Sequence, residues 1–67
     1  MDPEEQVRKM VGDTGKVDAV YGGFEIWVAK PTLFPWYRVF NLLTDIGHEV
    51  WINKREDKIC ITTEPKV

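Results

Sequence analysis

Two adjacent glycines, Gly22 and Gly23, separate two strand-forming runs, Val17 to Tyr21 and Phe24 to Ala29. Glycine tolerates the positive φ angles of a tight primed turn, so the pattern predicts a β-hairpin closed by this pair. That loop would set Tyr21 opposite Phe24, Ala19 opposite Ile26 and Val17 opposite Val28, all on one apolar face. Asp18, Val20, Glu25 and Trp27 would occupy the reverse. A second ribbon follows. Glu49 to Asn53 and Lys58 to Thr63 flank Lys54-Arg55-Glu56-Asp57, a loop length often built on a type I turn. It would pair Ile52 with Ile59 and Val50 with Ile61 on one face, and Trp51 with Cys60 on the other.

Helices are expected before and between the ribbons. Asp2 suits an N-cap, Pro3 the first helical position, and Glu5 the capping-box position. Val7, Met10 and Val11 make a narrow apolar stripe, and Gly12 ends it. Three anchors cannot hold so short a helix in water, so it must dock. Lys30-Pro31 breaks the preceding strand. Thr32 is a candidate cap for the second helix, with Pro35 in its first turn and Gly47 at its end. Leu33, Trp36, Tyr37, Val39, Phe40, Leu42, Leu43 and Ile46 cover more of its circumference than one sheet can bury, which predicts contact with the first helix or another subunit. Glu64-Pro65-Lys66-Val67 reads as a frayed tail.

The expected order is α-β-β-α-β-β. It gives a two-layer α+β sandwich, with a four-stranded sheet carrying both helices on one face. Whether the central strands run parallel or antiparallel is left open. With 67 residues the chain makes one small domain, hiding only about 60% of the surface its unfolded form exposes. A net charge of −2 excludes a strongly basic nucleic-acid binder and a heavily acidic DNA mimic. A lone cysteine cannot form an internal disulfide, which suits a reducing, cytoplasmic setting. No apolar run is long enough to span a bilayer, and the acidic start Met1-Asp2-Pro3-Glu4-Glu5 is unlike a signal peptide, so no membrane partner is expected.

One stretch resembles a known family. Ile46-Gly47-His48-Glu49-Val50 opens a hairpin that ends in Ile59-Cys60-Ile61, and Phe24 to Pro31 leads through a proline turn into a helix. This resembles the small sulfur-carrier proteins of the TusA and SirA type, across most of the chain. Their first helix begins with Cys-Pro-x-Pro, whose cysteine carries sulfur; here the corresponding residues are Asp2-Pro3-Glu4-Glu5. The family's leading strand has no counterpart, unless Val17 to Tyr21 replaces it. The resemblance implies a fold, and sulfur transfer carries over to no residue.

Candidate catalytic groups are few. Cys60 lies mid-strand between two isoleucines, where a half-buried inert thiol is the ordinary outcome; reactivity would need a cation or helix N-terminus nearby. His48, the single histidine, rules out a conventional His-based metal site and fits a solvated or capping role at a helix end. Glu4-Glu5 and Glu56-Asp57 lie at exposed ends or loops, without the burial that general-acid work needs. No glycine-rich phosphate cradle opens a helix. No catalytic residue, metal or cofactor is assigned, and no enzyme activity is expected.

The sharper signal is the sheet's reverse face. If the helices cover Val17, Ala19, Ile26, Val28, Val50, Ile52, Ile59 and Ile61, the reverse carries Val20, Trp27, Trp51, Asn53, Cys60 and Thr62. Two tryptophans there make an apolar patch that a small monomer does not normally expose. They would stack together or lie under the C-terminal tail, form a homodimer, or receive a partner. The expected reading is a non-catalytic interaction domain, self-associating or binding a protein through Trp27, Trp51, Val20 and Cys60, or through helix two. A sulfur-trafficking relative with its thiol lost or moved to Cys60 is the alternative. Single-stranded nucleic acid is a third, disfavoured because Lys54, Arg55 and Lys58 sit at a hairpin tip beside Glu56 and Asp57, while Arg8, Lys9 and Lys16 are scattered.

Overall fold

The computed structural model describes residues 2–66 in the order α1 (Pro3–Val11), β1 (Gly15–Val20), β2 (Gly23–Val28), α2 (Trp36–Asp45), β3 (His48–Arg55) and β4 (Lys58–Pro65). The expected α+β class and element order hold. The sheet order is β1-β2-β4-β3 and every neighbouring pair is antiparallel. The chain leaves β2, crosses through α2 to the far edge, and returns with β4 into the gap between β2 and β3. That placement settles the strand direction left open by the sequence.

The first hairpin turns one residue earlier than expected, and the second turns more tightly. Val17 faces Ile26, not Val28, and Ala19 faces Phe24. The turn residues are Tyr21 and Gly22, at φ 43° and 83°; both are left-handed, as a two-residue primed turn demands. Gly23 belongs to β2 instead, where an added Cβ would run into the carbonyl of Thr63 on β4. Tyr21 therefore leaves the expected apolar face and stands fully exposed at the tip. In the second ribbon Ile52 faces Ile61, Val50 faces Thr63 and Trp51 faces Thr62. Its turn shrinks to Glu56-Asp57, with Arg55 and Lys58 already paired. Each register slips by an even step, so the paired side chains other than Tyr21 keep their expected faces.

Asp2 caps α1 by accepting the Glu4 amide at 3.0 Å, and Val7 and Val11 are buried. The second helix starts later than expected. Thr32 does not cap it, and residues 31–34 form a turn whose Leu33 and Phe34 amides donate to the Lys30 carbonyl. Proline at 35 disfavours helical geometry at Phe34, so the helix begins after it. Phe34 instead folds inward, 4% exposed, with its ring edge-on to Trp36 at 4.7 Å. Val7 and Val11 from α1, and Val39 and Leu43 from α2, pack with Val17, Phe24, Ile26, Val28 and Ile61 into one core. The tail is not frayed as far as described: Glu64 and Pro65 continue β4, and the Lys66 amide donates to the Gly47 carbonyl at 2.9 Å. Val67 lies outside the described residues. Among those residues, no helix is long and apolar enough to cross a membrane.

Candidate interaction face

Alternation along the four strands leaves the face away from the helices without a covering layer. Cross-strand pairing arranges it in rows. One row runs Lys16, Trp27, Cys60, Asn53, and the next runs Asp18, Glu25, Thr62, Trp51. Beyond the first lie Lys58 and Arg55; beyond the second lie Glu64 and Glu49. The face is therefore cationic at one end, acidic at the other, with an indole in each middle row.

The expected face residues all lie here by register, and the structure sorts them by exposure. Trp51 is 43% exposed and Val20 36%. Trp27 is half-buried, its Nε1 donating to Glu25 Oε1 at 2.9 Å. The Arg55 guanidinium carbon lies 6.0 Å from the centre of the Trp27 ring, within cation–π range. Cys60 departs from expectation. It is wholly buried, where a half-buried thiol was expected, so it offers a partner no surface. Burial pushes its pKa up and Glu25 adds to the rise, while a hydrogen bond from Thr62 and the charge of Arg55 oppose it. A nucleophile or sulfur carrier needs the opposite shift.

The cationic frame of Trp27 is what sequence reading missed. Lys16 is its direct cross-strand neighbour, and Lys58 and Arg55 reach it across β4. Lys16, Trp27, Lys58, Pro31 and Asp57 line a groove of about 650 Å³ at that end. Lys54, expected in the same cluster, pairs with Ile59 and so falls on the helix-side face. Only the position of β4 between β2 and β3 joins these charges, and no local pattern encodes it.

Three pairs on this face set like charges directly opposite: Asp18 with Glu25, Arg55 with Lys58, and Glu49 with Glu64. Such pairs oppose strand association within the monomer. Among the described residues the ion pairs, Arg8–Glu4 at 3.0 Å, Lys9–Glu5 at 4.0 Å and Lys30–Asp13 at 3.2 Å, all lie elsewhere.

His48 is not simply solvated. It opens β3 half-buried, stacks on Phe24 at 5.6 Å and holds Nδ1 3.0 Å from Thr63 Oγ1. The same hydroxyl accepts the Phe24 amide at 3.1 Å, which makes this a structural clasp between β2, β3 and β4. Elsewhere, Leu33 and Tyr37 are 67% and 78% exposed beside α2, and Ile52 on the edge strand is 58% exposed. The first helix thus covers only part of the broad apolar arc of α2. Among the described residues no three of His, Cys, Asp and Glu gather to hold a metal ion. No family model, curated protein or solved structure matches the chain.

Proposed function

We propose that this domain is a non-catalytic protein-interaction module and that the outer sheet face is its docking surface. The observation that carries the reading is Trp51, 43% exposed on the same uncovered sheet face as half-buried Trp27, with β4 between them. Tryptophan at such a position supplies a large rigid contact at low entropic cost, and flanking charges give it register. The buried Cys60, with its raised pKa, weighs against the sulfur-handling alternative. Nucleic acid is disfavoured because Asp18, Glu25, Glu49 and Glu64 oppose a phosphate track over half the face.

The test compares wild type with Trp51→Glu. Trp51 is outside the core, so the variant should fold as the parent does while losing self-association and any protein retained from the native cell extract. A wild type that stays monomeric, retains no protein and hides both indoles from a soluble quencher overturns the reading.

A further inference from the structure

We infer that the occupant of the outer sheet face is a second copy of this chain, docked face to face with its strands reversed about a two-fold axis. This rests on the reading of that face as a docking surface and adds the partner and the register. The axis runs across the strands, between the Trp27 row and the Trp51 row. Rotation about it lays each cationic row over the acidic row equally far on the other side. Lys16 then faces the partner's Asp18, Lys58 faces the partner's Glu64, and Arg55 faces the partner's Glu49. Trp51 comes to lie over the partner's Asn53.

Three features of the face meet in this arrangement. Among the described residues the like-charge pairs Asp18–Glu25, Arg55–Lys58 and Glu49–Glu64 make no ion pair in the monomer, and each pair gains an opposite charge from the other copy. Two-fold symmetry repeats every contact, so one polarised face completes itself, as isologous interfaces require. Aligned strands also match the common way that two sheets pack. Four strands about 4.8 Å apart and about six residues rising about 3.3 Å each give a flat face of roughly 400 Å² per copy. The pair buries roughly 800 Å², at the weak end of specific interfaces, so the dimer is reversible and salt-sensitive.

Sedimentation of the full chain at about 50 mM and about 500 mM salt tests this together with three variants. Wild type should dimerise, more weakly at high salt. Lys58→Glu and Glu64→Lys should each weaken the dimer at least tenfold, because each sets two like-charge contacts across the axis. Mixing the two single variants should restore a heterodimer, and the double variant should restore the homodimer. Each single change relieves a like-charge pair within the monomer, so thermal melts should show both folded at least as firmly as the parent. A dimer indifferent to these swaps, or a mixture that fails to associate, overturns the proposed register. A monomeric wild type that still holds a protein released by Trp51→Glu overturns the second copy and leaves the docking surface standing. A monomer that holds nothing, or that binds only an oligonucleotide at the Trp27 end, overturns both.

Discussion

Cys60 occupies the outer row between Trp27 and Asn53 and yet shows no surface. Its thiol should react with a disulfide reagent only as fast as the domain opens, and at full speed in denaturant; rapid labelling of the native chain would contradict the burial. An unfolded thiol loses its proton near 9.0, its ordinary value, while the folded one holds it to higher pH. The stability this supplies is complete below that value and disappears as pH climbs through the folded pKa. Urea midpoints should fall more steeply above about pH 9 in wild type than in Cys60→Ala, with the difference between the two isolating the thiol. Thr63 joins three strands through one hydroxyl. Its hydroxyl accepts the Phe24 amide and meets His48. Thr63→Val keeps the shape but leaves a buried amide unpaired, so it should cost about 1–3 kcal/mol in chemical denaturation, whereas Thr63→Ser should cost less.

Turns show which part of an element its local sequence can specify. Gly22-Gly23 marks the right place for the first hairpin, but the two glycines serve different needs. Gly22 supplies the left-handed turn, while Gly23 gives way to the Thr63 carbonyl, a requirement visible only once β4 lies alongside. Tyr21 thereby inherits a φ of 43°, costly for an aromatic residue. Tyr21→Asn should therefore stabilise the domain by roughly 0.5–1 kcal/mol, read as a higher melting midpoint, since Asn-Gly is the preferred primed turn. Gly23→Ala should do the reverse and loosen the β2–β4 ladder, seen as faster hydrogen exchange at Phe24 and its neighbours. The faces of both ribbons were legible because an even slip in register leaves alternation intact. The start of α2 was not, since Pro35 acts backwards on Phe34 and cancels the cap that Thr32 offers. Strand order was not legible either. Neither ribbon carries a signal for its neighbour, so the gathering of Lys16, Arg55 and Lys58 around Trp27 depends wholly on topology.

At the scale of the molecule, one small core supports a surface that works against it. Val7, Ile26, Val39, Leu43 and Ile61 are fully buried, but a domain of this length has few such residues to spare, and three like-charge pairs lie across its open sheet. Association that neutralises those charges favours only the folded chain, because the unfolded chain has no such face. Stability and concentration are then linked. Raising the protein from well below its dissociation constant to about a hundredfold above it adds about 2.7 kcal/mol to the native side. A domain of this size shifts by about 4–8 °C per kcal/mol, so the melting midpoint should climb by on the order of ten degrees. Over the same range Trp51→Glu and Lys58→Glu should show a clearly smaller rise in midpoint, in proportion to the dimer each still forms. A wild-type midpoint that stays fixed across that range would mean the outer face tolerates its like-charge pairs without a second copy to answer them.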